Sequence, residues 1–150
     1  MRLLDVVIGI FDPGNELDEE QRSLAAYLTA LDRRDGLIAA WEGFLEDVDV
    51  LVLPSAMSTA FPHADEYGAV DIDGLEVGYL EHGGLLTFAN LAGLPALAVP
   101  ASLGRDGLPI GVQLVGPRWS DGRLIAIARA CEESQVLPGF RVPPLLAPRA

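Results

Sequence analysis

Leu85–Gly116, LLTFANLAGLPALAVPASLGRDGLPIGVQLVG, decides the fold of this chain. Its charges, Arg105 and Asp106, both fall inside one turn. Ala96–Leu103 is apolar or small throughout, the pattern of a strand covered on both faces. Gly104-Arg105-Asp106-Gly107 supplies turn residues, with glycines where a positive φ is needed. After Pro109, Ile110–Val115 is a second strand whose polar side chain is Gln113. The two strands are predicted to pair antiparallel at the centre of a sheet, with side chains on both faces largely buried. Upstream, Leu85–Ala92 lacks breakers and reads as helix. Gly93 then stands where a left-handed helix cap belongs, with Pro95 just beyond it.

Working outward, Val50–Leu53 is a short apolar strand closed by Pro54. It follows a helix in which Leu37, Ile38, Trp41, Phe44, Leu45 and Val48 recur at helical spacing, so Trp41 reads as core packing. That helix continues backwards through Leu31, Leu28 and Leu24, either interrupted at Asp35-Gly36 or running through it. Its start is placed at Asp18, where Gln21 completes a capping-box-like pattern and Glu19 and Glu20 favour the helix dipole. Leu3–Phe11 is a further apolar segment, closed by the turn Asp12-Pro13-Gly14-Asn15. Ser55–Tyr67 is a polar loop. Val70-Asp71-Ile72 and Leu75-Glu76-Val77 flank Asp73-Gly74 as a two-stranded ribbon. Ser120 or Asp121 caps a last helix with Leu124, Ile127, Ala128 and Cys131 inward, and residues 138–150 form a proline-rich tail. The expectation is one α/β domain over 1–150: a mixed sheet with helices on both faces and core strands Val50–Leu53, Ala96–Pro100 and Ile110–Val115.

Composition bounds the chemistry. A chain of 150 residues suits one domain that buries roughly 70% of its unfolded surface. Half of the residues are hydrophobic and mean hydropathy is +0.30, yet no apolar run reaches the roughly 18 residues a bilayer span needs. The first residues lack a signal-peptide cleavage pattern, so a cytoplasmic location is the expectation. Net charge is -12, which argues against a nucleic-acid surface. The single cysteine, Cys131, excludes an intrachain disulfide and a multi-cysteine metal site. All ten basic residues are arginine. A reaction that needs a lysine to carry a proton therefore has none here, and a guanidinium stays protonated at ordinary pH.

Nucleophile and ligand sets can be composed but carry no recognised spacing. Ser55 or Ser58 with His63 and Asp65 makes a Ser–His–acid set, yet no serine lies in a G-x-S-x-G elbow. His63, Asp65 and His82 match no metal-ligand signature, and neither a metal nor another cofactor is expected. Cys131 on an apolar helical face reads as a small buried hydrophobe. Gly104–Gly107 is a hairpin turn, because a phosphate loop needs a lysine and a following helix.

The order Thr87-Phe88, Asn90-Leu91-Ala92-Gly93-Leu94-Pro95-Ala96, Val99-Pro100 and Gly107-Leu108-Pro109-Ile110-Gly111-Val112-Gln113-Leu114-Val115-Gly116 resembles the C-terminal part of the amidase signature family. That family includes bacterial amidases, the glutamine-hydrolysing subunit of glutamyl-tRNA amidotransferase and fatty acid amide hydrolases. The resemblance extends from about Leu37 to Pro144, and implies the C-terminal portion of the amidase fold. It also implies hydrolysis of a carbon–nitrogen amide bond through a Ser–cis-Ser–Lys triad. The Gly/Ser-rich signature segment lies in the N-terminal half of the family's chain, which this sequence does not contain, so no catalytic residue is assigned. Thr87 and Asn90 fall in a segment that runs beside the family's substrate cleft, and are the substrate-binding candidates. An aspartate just before that segment helps hold glutamine in the amidotransferase; Gly83 and Gly84 stand there instead.

Two functions follow as expectations. One is part of an amide hydrolase that is inactive alone and takes a small amide substrate when complemented by an amidase N-terminal half. The other is a stand-alone, non-catalytic interaction domain. Either is expected to leave apolar surface that a homo-oligomer or that missing half would cover, with Leu3–Phe11 or a Tyr79–Asn90 helix at the interface.

Overall fold

The computed structural model describes residues 23–63 and 68–139. In chain order the elements are α1 (Leu24–Phe44), β1 (Leu51–Pro54), β2 (Ala69–Ile72), β3 (Leu75–Gly78), α2 (Tyr79–His82), a 3₁₀ turn (Gly84–Leu86), α3 (Thr87–Ala92), β4 (Ala96–Leu103), β5 (Pro109–Val115) and α4 (Asp121–Glu133). The strands form a three-stranded sheet in the order β1-β5-β4 and a separate ribbon, β2-β3.

Both partners of β5 run antiparallel to it, with Leu53 and Ala98 flanking Gln113, and Leu51 and Ala96 flanking Val115. Gly116 N–H donates to the Pro95 carbonyl at 3.2 Å, so antiparallel alternation makes Leu97–Leu114 and Val99–Val112 bonded pairs. The N–H and C=O groups of Ala96 and Ala98, and the carbonyl of Pro100, therefore point away from β5. On the other side Ser55 N–H donates to the Gly111 carbonyl at 3.3 Å, which turns Val52 and Pro54 outward. Pro54 and Pro100 thus stand where a missing N–H breaks no ladder bond. The register shifts between Pro100 and Ser102, leaving Ala101 as the extra residue of a bulge.

The core lies on one face of β5. Val115 is fully buried there with Leu45, Ala89, Ala92 and Leu94, and Ile38, Trp41, Val48, Leu51, Leu53 and Phe88 pack around them. Trp41 stacks on Phe88 with ring centroids 4.5 Å apart, which clamps α1 to α3. Arg34 Nε donates to the Leu91 carbonyl at 2.9 Å and fixes the same two helices further along. Alternation places Leu114 on the opposite face, where α4 lies against β4 and buries Leu124 to 1% exposure. Gly93 has φ 66° and ψ 35°, the left-handed cap the sequence requires, and frees the chain to enter β4 through Pro95. The ribbon turn has φ 52° at Asp73 and φ 85° at Gly74, both positive as a two-residue hairpin demands.

Three expectations are corrected, and one left open is settled. β4 and β5 do pair antiparallel, but β5 is the central strand, whereas β4 is an edge whose residues alternate between half-buried and exposed. Its apolar side chains lack cover because no described element packs over Ala96, Ala98 and Pro100. The Tyr79–Asn90 helix is broken into α2, a 3₁₀ turn and α3, since Gly83-Gly84 gives the backbone no reason to stay helical. Asp35-Gly36 is absorbed in one continuous α1, but the front of that helix projects from the core: Leu24 is 72% exposed, and Tyr27 and Leu28 are also exposed. Ser120 precedes α4 without capping it, because its hydroxyl donates to the Pro117 carbonyl at 2.6 Å. At the described start of α1, Ser23 Oγ accepts from Ala26 N–H at 3.1 Å. The Leu3–Phe11 segment, the Asp18–Gln21 start and residues 140–150 lie outside the described residues.

Candidate functional site

The polar loop after β1 folds back on α2. Ser58 Oγ lies 2.9 Å from His82 Nε2, and Phe61 stands edge-on to the His82 ring, with centroids 5.3 Å apart. Phe61 also meets Tyr79 edge-to-face at 6.1 Å. One loop serine thus has a histidine, but it is His82 rather than His63. His63 is exposed and makes no bond to Ser55 or Ser58, and Asp65 lies outside the described residues.

The geometry of this pair is that of a tether. Ser58 Oγ also lies 2.9 Å from the Thr59 carbonyl, which competes with the ring nitrogen for its one proton. No carboxylate among the described residues bonds to the other ring nitrogen, so nothing orients the imidazole as a base. Ser55 and Ser134 are likewise placed for structure. Ser55 Oγ sits over Gly111, where a Cβ would come within 2.8 Å of it, and Ser134 donates back to the Ala130 carbonyl at 2.6 Å.

Next to the tether, Asp106 organises the β4–β5 turn. One carboxylate oxygen accepts from Leu108 N–H at 3.1 Å and the other from Thr59 Oγ1 at 3.0 Å. The Leu108 amide, and then the Thr59 hydroxyl, hold its carboxyl below the ordinary value of 3.8. The turn therefore holds the polar loop beside the N-terminal end of β5.

Thr87 and Asn90 sit three residues apart on α3, on the same side of that helix. Thr87 Oγ1 donates to the Gly84 carbonyl at 2.7 Å, leaving its lone pairs free to accept. Asn90 is exposed at the side chain, while its carbonyl accepts from the Gly93 N–H of the cap at 3.3 Å. Cys131 is half-buried with its carbonyl occupied by the Val136 and Leu137 amides. No His/Cys/Asp/Glu cluster able to hold a metal ion occurs among the described residues, and no helix among them is long and apolar enough to cross a membrane.

At the opposite end of β5 an open depression of about 520 Å³ lies between the end of α1 and the start of α4. Glu42, Glu46, Asp47 and Asp49 line it together with Arg118 and Arg123. Arg123 meets Asp49 at 2.8 Å, and Arg118 meets Glu42 at 3.4 Å, both exposed to solvent. Leu45, Val48, Pro117 and Trp119 complete its walls, and no serine, cysteine or histidine lines it.

Comparison with known proteins identifies this architecture. The Amidase family model matches residues 3–125, and the chain belongs to the amidase family. Among curated relatives is the glutamyl-tRNA(Gln) amidotransferase A-type subunit of Maricaulis maris. The chain is 37% identical to it over 110 residues, covering 73% of this chain and 21% of that one. Among solved structures, the corresponding amidotransferase subunit of Thermotoga maritima aligns with a TM-score of 0.59 and 32% identity, covering 73% of this chain and 22% of that chain. The 6-aminohexanoate cyclic dimer hydrolase aligns with a TM-score of 0.66 and 27% identity, over 83% and 27% of the two chains. The chain thus spans about a fifth of the length of the curated relatives it matches.

Proposed function

We propose that this chain is the C-terminal part of an amidase-type hydrolase of carbon–nitrogen bonds and has no amidase activity by itself. The observation that carries the reading is the Ser58–His82 pair. It is the one serine–histidine hydrogen bond among the described residues, and no carboxylate among them bonds the other ring nitrogen, which makes it a structural tether. Without a lysine, no Ser–cis-Ser–Lys triad can be assembled from these 150 residues.

In this reading the chain supplies one wall of an amide-binding cleft. Thr87 offers a hydroxyl oxygen as acceptor and Asn90 an exposed amide that both donates and accepts, one turn apart. The substrate is a small amide. Gly83 and Gly84, where the resemblance expects an acid, favour an uncharged substrate end over a glutamine ammonium group. Of the partners the sequence leaves open, the coverage favours a complementary amidase portion over a second copy, because the relatives carry that portion within their own chains.

The test is turnover of an aryl amide and of glutamine by the full chain, alone and mixed with the complementary portion of the Thermotoga maritima protein. No turnover above buffer is expected from the chain alone. Turnover by the chain alone that disappears in Ser58→Ala or His82→Ala would overturn the reading and make the tether a catalytic pair.

A further inference from the structure

We infer that the open depression between the end of α1 and the start of α4 docks an arginine-bearing peptide segment of another protein, with Trp119 as its anchor. The surface lies at the opposite end of β5 from the polar loop, and the inference does not depend on the amide-cleft reading.

Three observations lead there. First, the chain turns Trp119 outward and holds it there. The indole is 88% exposed, more than any other large apolar side chain among the described residues. Its backbone φ is 66°, a region that bulky residues rarely enter. A tight turn imposes that conformation: the Ser120 N–H and hydroxyl both donate to the Pro117 carbonyl, at 3.2 and 2.6 Å. With so little of the ring covered, packing among the described residues does not offset the strain. A tryptophan held out on a rigid support is the kind of side chain that anchors interfaces.

Second, the charges beside the ring are unbalanced. Glu42, Glu46, Asp47 and Asp49 line the depression against Arg118 and Arg123. Arg123 is taken by Asp49 at 2.8 Å. Arg118 reaches Glu42 only at 3.4 Å, its enclosed Nε has no acceptor, and its guanidinium carbon lies 5.7 Å from the Trp119 ring centroid. Among the described residues the Glu46 and Asp47 carboxylates have neither a hydrogen bond nor an ion pair. Both follow the C-terminus of α1, whose last turn has no basic residue, so the helix dipole adds to their negative field. This end of α1 lacks a cation that the described residues do not supply.

Third, the form and chemistry of the surface select the occupant. The depression is open, with Leu45, Val48 and Pro117 as apolar wall beside the ring, so a segment lies across it rather than being engulfed. Arginine suits both parts of the surface. Its planar fork pairs with carboxylates while its face stacks on an indole, which a compact lysine ammonium does less well. A second copy of the chain is disfavoured, because each copy carries a net charge of -12. The occupant is therefore a basic segment of a different protein, and salt weakens its hold.

The indole N–H signals of the full 150-residue chain, followed by nuclear magnetic resonance, test this, with Trp41 as the internal control. The probe is an acetylated and amidated Arg-Leu-Arg tripeptide at low salt. It should move the Trp119 signal saturably, with a Kd of about 1 mM or below, and leave Trp41 in place. Followed on the backbone amides of residues 46–49, affinity should fall about tenfold in Trp119→Asn. Glu46→Gln combined with Asp47→Asn should weaken binding about fivefold and flatten its salt dependence. Trp119→Asn should also keep or raise the melting temperature, since asparagine tolerates the left-handed region. A lower melting temperature would make the indole a packing element of the chain and overturn the inference. Equal binding of Lys-Leu-Lys would reduce the surface to diffuse attraction, and no shift at all would empty it; both overturn the inference. A Trp119 response lost on adding the complementary portion of the Thermotoga maritima protein would give the surface to the rest of the amidase fold. A Trp119 shift that grows with the concentration of the chain alone would give it to a second copy. Either result counts against the inference, and none of these readouts bears on amide turnover, so the amidase reading stands or falls separately.

Discussion

β4 and β5 are adjacent strands of nearly the same apolar character, yet they end in opposite environments. The last three residues of β5, Gln113, Leu114 and Val115, are all buried, because β1 and β4 flank the strand and helices cover it above and below. β4 alternates half-buried and exposed along its first six residues, and its outer edge is bare. α1 repeats the contrast within a single element. Trp41 and Leu45 enter the core, while Leu24, Tyr27 and Leu28 at the same helical spacing project from it. An apolar pattern records the cover a segment is built to have. Where these residues supply that cover the pattern predicts burial correctly, and where the rest of the amidase fold would supply it the pattern overstates burial.

The contrast can be broken by substitution. The largest effect is expected where cover is complete: Leu124→Ala or Leu45→Ala should lower unfolding free energy by about 2–5 kcal/mol, measured by chemical denaturation. The matching truncations on open surface, Val52→Ala and Leu103→Ala, should stay within about 0.5 kcal/mol in the chain alone. Comparable losses at both kinds of position would mean that β1 and β4 are covered in solution.

A smaller effect sharpens the boundary between α3 and β4. Gly93→Ala places a Cβ at φ 66° and should cost about 1 kcal/mol or more, with Gly93→Asn milder because asparagine tolerates the left-handed region. The two variants differ little in volume demand here, since nothing lies within 4 Å of the Cβ position. Equal stability of Gly93→Ala and wild type would remove the backbone argument.

The smallest effect concerns the exposed turn. Asp106 has its folded-state carboxyl held below 3.8, so its stabilising contribution is present above that pH and lost as pH falls through the folded value. Asp106→Asn should flatten that acid limb of the stability curve slightly and leave the neutral region nearly unchanged. A loss confined to neutral or alkaline pH would contradict the assignment. Ser58→Ala belongs at the same small scale, because the tether it removes is part-buried and joins a loop to a short helix.

How much was legible in the sequence follows from the same physics. Gly93 and Asp73-Gly74 announced their conformations because positive φ leaves few residue choices. The antiparallel β4–β5 pair was legible because one short turn joins two strands. The central place of β5 was not, since Leu51–Pro54 claims its free side from a distance in the chain that no local pattern encodes. The Ser58–His82 contact was missed for the same reason: the partners are 24 residues apart, and His63 was the nearer candidate. The break at Gly83-Gly84 was visible as two glycines, but the apolar residues on either side outweighed them. For the candidate site, the motif resemblance brought Thr87 and Asn90 forward, and the structure places them on one side of α3.

The central claim is that the open edge and apolar surface belong to an amidase fold of which this chain is one part. Light scattering on an equimolar mixture of the chain and the complementary portion of the Thermotoga maritima protein measures it most directly. The account predicts a 1:1 complex that persists on dilution while the chain alone shows unsatisfied surface by aggregation or weak self-association. A chain that stays a 16.0 kDa monomer at every concentration and ignores the complementary portion would contradict it.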